Sequence, residues 1–219
     1  YRRGEDSGHA YRRATAEDML VGTQPMKALA LLSGGLDSAL AAKIVLEQGI
    51  EVEAFYFTTP FIQHSDLTSL ADELCVKLHI VTLLEDYFEV VKDPKHGYGS
   101  NMNPCIDCRI LMLRKAKDYM GAVGASFIVT GEVLGQRPMS QHREALAMID
   151  RESGLEGLVL RPLSAKFLPP TSVEMKGWVD RGRMLSIRGR SRKEQIALAS
   201  SYKISSYHCP SGGCLLTDP

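Results

Sequence analysis

Two groups of residues in this chain have types and spacing that could do chemistry. The first is "SGGLDS", Ser33 to Ser38, which interrupts an apolar run and precedes helical spacing. Glycines let backbone N–H groups approach an anion closely, and a following helix adds its positive N-terminus. The Ser33 and Ser38 hydroxyls add further donors. Neither the Walker A lysine loop nor the G-x-G-x-x-G fingerprint is present, so the usual phosphate loops do not match. Asp37 has two readings, an anion- or metal-orienting carboxylate and a cap for the helix beginning near Ser38.

The second group is the cysteines. Cys105 and Cys108 form a C-x-x-C, Cys209 and Cys214 a C-x4-C, and Cys75 stands alone in "LADELCVKLH". Five cysteines cannot all pair, and close spacings in a reducing compartment point to metal or redox chemistry. Thiolates opening a helix are stabilised by its dipole. Cys105, Cys108 and Cys214 as three soft ligands suit an iron–sulfur centre, the same thiols could carry a persulfide without metal, and with Cys209 the set would fit a structural zinc. Cys75 is expected to be a buried helix residue. No H-x-x-x-H spacing occurs. His64 and His142 lie near predicted strand ends where a ligand could sit, and His79 is expected to start a strand.

These groups need a scaffold, and the pattern supplies one. Residues 1–25 are polar and aperiodic and read as an arm. "MKALALLS", "EVEAFYFTT", "HIVTLLE", "ASFIVTGE" and "GLVLRPLS" read as strands. "LDSALAAKIVLEQG" reads as a helix presenting Leu36, Leu40, Ile44 and Val45 on one face and capped at Gly49. "DLTSLADELCVKLH" reads as a helix capped by Ser65 or Asp66, and "CRILMLRKAKDYMG" and "QHREALAMIDRES" as two more. "SRKEQIALASSYKI" reads as a last helix, with Ser191 and Glu194 as a capping box. Alternating strands and helices predict an α/β fold, a parallel five-stranded sheet flanked by helices. Ligands of such sheets bind at the carboxyl ends of the strands, where "SGGLDS", "TTPF", "TGEVLGQ" and "RPLSAK" all fall. The double proline after Phe167 divides a domain over 26–170 from an extension over 171–219.

Charge and hydropathy narrow the partners. No apolar run approaches a bilayer span, and the first 25 residues carry no apolar signal segment, so a cytoplasmic protein with no membrane partner is expected. The formal net charge is zero. Residues 27–160 carry 12 basic and 18 acidic side chains, whereas 161–203 carry 10 basic and 3 acidic. "RGRMLSIRGRSRK" holds six positive charges, at Arg181, Arg183, Arg188, Arg190, Arg192 and Lys193. Such a run reads either as a polyanion surface or as a solvated face.

Taken after the first strand of an α/β pattern, S-G-G-x-D-S resembles the pyrophosphate loop of the PP-loop ATP-pyrophosphatases. "TGEVLGQRPMSQ" (Thr130 to Gln141), "RPL" (Arg161 to Leu163), "CRILMLRKA" and "GGCLLTDP" are similar to stretches of the tRNA 4-thiouridine synthetases. "NPCIDC" resembles the C-x-x-C opening a helix in cluster-containing tRNA thiolases. The resemblance covers roughly residues 26–219 and implies an adenine-nucleotide α-hydrolase-like fold. It implies a tRNA sulfurtransferase that adenylates a tRNA uridine with ATP and Mg²⁺ and replaces the activated oxygen with sulfur. Ser33, Gly34, Gly35, Asp37 and Ser38 would hold pyrophosphate. Backbone at Phe57 and Thr58, Gly131 and Gln136 would meet the nucleotide. Cys105, Cys108 and Cys214 would ligate a [4Fe-4S] cluster. The basic run would meet tRNA, with sulfide or a persulfide carrier as sulfur donor and a homo-oligomer allowed. The ferredoxin-like and THUMP modules that precede this domain in 4-thiouridine synthetases, and the rhodanese domain that follows it in many, have no counterpart here, and the abrupt end leads one to expect more chain. The rival readings are an ammonia-dependent PP-loop ligase of the amidotransferase type and a non-catalytic nucleotide-binding module.

Overall fold

A computed structural model describes residues 26–61, 66–208 and 214–217. The expectations for the arm, His64, Ser65 and Cys209 lie outside the described residues. Five strands form one parallel sheet: β1 (Lys27–Leu31), β2 (Glu51–Thr58), β3 (Lys77–Thr82), β4 (Phe127–Thr130) and β5 (Val159–Leu160), in the order β3-β2-β1-β4-β5. The order reverses between β1 and β4. At such a reversal the loops of a parallel sheet diverge, which is where a ligand crevice at the carboxyl edge is expected.

Alternation along β1 divides the core. Ala28 and Ala30 pack under α1 (Leu36–Leu46), α2 (Thr68–Leu74), α6 (Ser172–Met175) and α7 (Lys193–Tyr202). Leu29 and Leu31 face α3 (Glu85–Lys92), α4 (Cys105–Val123) and α5 (Arg143–Glu152). The result is the three-layer fold expected. Val173, Met184, Ile187 and Ala199, from beyond the double proline, share the core of α1.

Several local expectations are corrected. α1 is buried on nearly all sides, not on one face, because α7 covers what the sheet does not. Its C-cap is Glu47, and Gly49, at φ 77°, turns the chain two residues later. α2 ends at Leu74, and Cys75 is its exposed, left-handed C-cap at φ 55°, not a buried helix residue. "VKLH" lies in or just before β3, because pairing with β2 from Glu53↔Lys77 to Thr58↔Thr82 overrides its helical spacing. His79 is therefore mid-strand, bonded at 2.5 Å to Glu53. Asp66 sits one residue before the N-cap Leu67 and accepts from the Thr68 N–H. α3 was not anticipated; its signal is the buried pair Tyr87 and Val91 at i,i+4. α7 starts at an uncapped Arg192, and the capping box is instead Thr171 with Glu174, directly after the prolines.

Candidate functional site

The loop after β1 is held open by its own side chains. The Ser38 hydroxyl donates to the Gly35 carbonyl at 2.8 Å and accepts from the Ser33 N–H at 3.2 Å. Gly34 takes φ 76°, a conformation that disfavours side chains. A Cβ there would come within 2.7 Å of the His208 ring and 2.8 Å of Leu67. His208 also donates its N–H to the Gly34 carbonyl at 2.8 Å, so the late segment lies against the back of the loop. Gly35 is the N-cap of α1 and offers no side-chain acceptor, so the first helical N–H groups remain for an anion.

Asp37 is turned away from capping. Gln136 donates Nε2 to its Oδ2 at 2.9 Å, and the Arg192 guanidinium stands 3.7 Å from the same oxygen. Oδ1 is buried with no hydrogen-bond partner among the described residues. Such an orphan is costly unless a ligand satisfies it. Gly131 closes the crevice from β4: a Cβ on it would meet Ser38 N at 2.4 Å and the Asp37 carbonyl carbon at 2.5 Å. The sequence stretches "SGGLDS" and "TGEVLGQ" therefore touch, backbone against backbone. The Phe57 side chain points into the core, edge-on to Phe55, and the Thr58 carbonyl already accepts from Leu83, so a contact at this strand end would fall to the remaining backbone groups.

Beneath the crevice lies a buried charge network. Arg161 donates Nε to Glu132 at 2.8 Å and both terminal nitrogens to Asp150 at 2.8 and 2.6 Å. Arg109 Nε stands 3.1 Å from the other Glu132 oxygen, close enough for ion pairing but not aligned as a donor. Burial pushes the Glu132 carboxyl up, and the Arg161 and Arg109 charges more than offset it, so its pKa lies below the ordinary value. Burial dominates at Asp150, whose pKa is raised. The "CR", "TGE" and "RPL" stretches are thus tied by one ionic chain, which fixes the thiol-bearing end of α4 to the strand ends. Sequence reading singled out those stretches without Arg109, Glu132 or Arg161 as individual actors.

The thiols gather near the start of α4. The Tyr87 hydroxyl lies 3.9 Å from Cys214 Sγ and also bonds the Cys108 thiol. Asn103 donates to Cys105 Sγ at 2.9 Å. Burial pushes the Cys108 thiol up to about 11. Asp107, between the two cysteines, accepts from the His96 N–H at 2.9 Å and pairs with its Nδ1 at 2.8 Å, while His96 Nε2 reaches Glu152 at 3.1 Å. That clamp holds the preceding loop against the C-x-x-C turn. Among the described residues no three Cys, His, Asp or Glu side chains stand as a metal ligand set. Cys105, Cys108 and Cys214 share one neighbourhood with a tyrosine hydroxyl among them.

The basic run divides. Arg181 is committed to Glu174 and to the Ala165 and Leu168 carbonyls, which makes it a fold-holding residue. Arg183 donates to the Glu47 carbonyl at 2.6 Å, and Arg188 lies over the Phe167 ring at 4.8 Å. Arg190 and Lys193 are exposed. Arg192 faces Asp37, a placement that composition alone does not reveal. His142 is the N-cap of α5, with its Nδ1 3.4 Å from the Ala145 N–H and 2.9 Å from Glu144, so its ring serves the helix start.

Known proteins resemble this chain in sequence and in fold. A "probable tRNA sulfurtransferase" of Lysinibacillus sphaericus is 33% identical over 146 residues, covering 63% of this chain and 34% of that protein. A "tRNA-specific 2-thiouridylase MnmA" of Pseudomonas fluorescens is 27% identical over 143 residues, covering 58% of this chain and 38% of that protein. The chain thus spans little more than a third of the length of these relatives. A solved 4-thiouridine synthetase, in complex with RNA and ATP, has the same fold, with a TM-score of 0.52 and 24% identity over 82% of this chain and 52% of that one. Residues 22–166 match the family described as thiamine biosynthesis protein (ThiI), and with two thirds of its length inside that match the chain belongs to the ThiI family of PP-loop proteins.

Proposed function

We propose that this protein is an ATP-dependent tRNA sulfurtransferase. The observation that carries the reading is the loop itself: open helix N–H groups, a buried Asp37 oxygen with no partner, and Gly131 pressed against the loop backbone. The loop N–H groups make a compact, donor-rich cradle suited to the β,γ-pyrophosphate of ATP, and the orphaned carboxylate oxygen, an acceptor, suits the cation that accompanies it. Asp37 would hold Mg²⁺, which when bound would neutralise phosphate charge.

In this reading a uridine carbonyl oxygen attacks the α-phosphorus and pyrophosphate leaves into the loop. Sulfide then attacks the activated carbon, and AMP departs with the base's oxygen; with a persulfide as donor its outer sulfur attacks, AMP departs, and a second thiol cleaves the S–S bond, leaving the thiocarbonyl and a disulfide. Cys105, Cys108 and Cys214 are assigned to sulfur handling because Cys108 and Cys214 both lie at the Tyr87 hydroxyl and Cys105 stands beside Cys108 at the start of α4. Among the described residues the thiols do not stand as a metal ligand set. Sulfide or a persulfide carrier would supply the sulfur, and exposed Arg190 and Lys193 would meet the tRNA backbone.

The test is tRNA-dependent AMP release. Asp37→Ala should lower it by about 100-fold or more, since losing one transition-state contact costs roughly 3 kcal/mol. Unchanged release would refute the loop assignment. Full activity after replacing both Cys105 and Cys108 would favour an ammonia-dependent ligase. Iron found in stoichiometric amount after anaerobic purification would assign the three thiols to a cluster.

A further inference from the structure

Arg192 belongs by sequence to the basic run, yet its guanidinium is directed inward. The strand-like contact of Arg188 with Leu134, and the Gly189 N–H donating to the Leu134 carbonyl at 2.7 Å, draw residues 188–192 over the crevice. Arg192 then opens α7, which packs on α1. From there it reaches Asp37 Oδ2 at 3.7 Å, too long for a hydrogen bond and with Gln136 already bonded to that oxygen. Among the described residues this is its one charged contact. A guanidinium carries five donors suited to bidentate phosphate binding, and a single long ion pair leaves most of that capacity unused.

We propose that Arg192 is a phosphate-binding residue of the loop site, parked on Asp37 and transferred to the nucleotide's phosphates when they enter. The exchange is balanced in charge: the incoming polyphosphate takes the arginine, and the released Asp37 carboxylate is freed for Mg²⁺. Arg192 is thereby separated from the tRNA-facing Arg190 and Lys193. This inference rests on the assignment of the Ser33–Ser38 loop to pyrophosphate.

The experiment uses the full chain and inorganic pyrophosphate with Mg²⁺, titrated calorimetrically at fixed ionic strength. Arg192→Gln should weaken pyrophosphate binding by roughly 10- to 100-fold, the effect of losing a hydrogen bond to a charged group. Arg192→Lys should recover part of it, Arg190→Gln should leave it unchanged, and AMP binding should be unaffected in all three. Thermal midpoints within a degree or two of wild type would confirm folding, as expected for a half-buried side chain with one long contact. Without Mg²⁺, Asp37→Asn should bind pyrophosphate more tightly than wild type, because the parking carboxylate no longer competes. Wild-type pyrophosphate affinity in Arg192→Gln, with weakened tRNA binding, would return Arg192 to the RNA surface and overturn the proposal. No pyrophosphate binding by wild type would overturn the loop assignment as well, so the two failures are distinguishable.

Discussion

Replacing Gly131 by alanine adds one methyl group where the structure has no room. The new Cβ would sit 2.4 Å from Ser38 N, 2.5 Å from the Asp37 carbonyl carbon and 2.6 Å from Ser38 Cα, against an ordinary contact of 3.4 Å or more. All three neighbours are backbone, so no rotamer change relieves the overlap; the β4 end and the loop must separate by about 1 Å. Overpacking of this kind costs roughly 1–3 kcal/mol. For a chain of this size each kcal/mol moves the thermal midpoint by about 2–4 °C, so a fall of roughly 2–12 °C is expected. The functional loss should be larger than the stability loss, because a misplacement of about 1 Å can cost on the order of 100-fold in rate. The assay pairs differential scanning calorimetry with tRNA-dependent AMP release. Gly121→Ala in α4, where a Cβ would meet nothing within 4 Å, is the control and should stabilise by about 0.5–1 kcal/mol. If Gly131→Ala kept both wild-type melting and wild-type AMP release, the close packing of loop on strand end would not be what shapes the site.

Three further outcomes are expected. Arg161→Met leaves Glu132 and Asp150 buried without their main partner and should cost about 3–5 kcal/mol in urea denaturation, whereas adding Glu132→Gln and Asp150→Asn should restore part of it. Burial alone would raise the Glu53 carboxyl, but Lys27 and His79 more than offset it and hold it below the ordinary range. A carboxyl lower when folded contributes stability that is present above its unfolded pKa of about 4.3 and is lost as pH falls through the folded value. Urea midpoints should therefore drop below about pH 4, and Glu53→Gln should flatten that limb. With the Cys108 thiol pushed up to about 11, only about one molecule in a thousand carries its thiolate at pH 8, so peptide mass spectrometry after iodoacetamide treatment should find Cys108 slow at pH 8 and accelerating toward pH 11; rapid labelling at pH 8 would contradict that burial.

The sheet was legible because its signal is local. "KALAL" is a run buried after its first residue, and β2, β4 and β5 repeat that form, so the fold class follows from period and punctuation. Elements set by long-range pairing were harder. Lys77 to His79 keep helical spacing in sequence and become strand only because β2 offers six paired positions. The Ser33–Ser38 loop and Gln136 could be singled out because glycines, motif and strand ends coincide. Arg192 could not, since nothing in "RGRSRK" distinguishes the one arginine turned toward Asp37 from its solvent-facing neighbours. Tyr87 and His96 were likewise hidden, because their roles arise from where α3 and the loop before α4 are folded back onto the thiols.

The chain of charges from Arg109 through Glu132 and Arg161 to Asp150 has two positive and two negative members, so it is neutral as a set and not as parts. Substitution of any one member strands a buried partner of opposite sign, and the intermediate is poorer than either end point. Natural drift therefore meets a valley at these four positions: they should be exchanged together or not at all. Among relatives they should be inherited as a block, with near-absence of sequences carrying Arg161 opposite a neutral residue at both acidic positions. A deep mutational scan would show the same property as strong epistasis. Most single substitutions at the four sites would be depleted, while compensated combinations would survive at frequencies that the product of the singles could not explain.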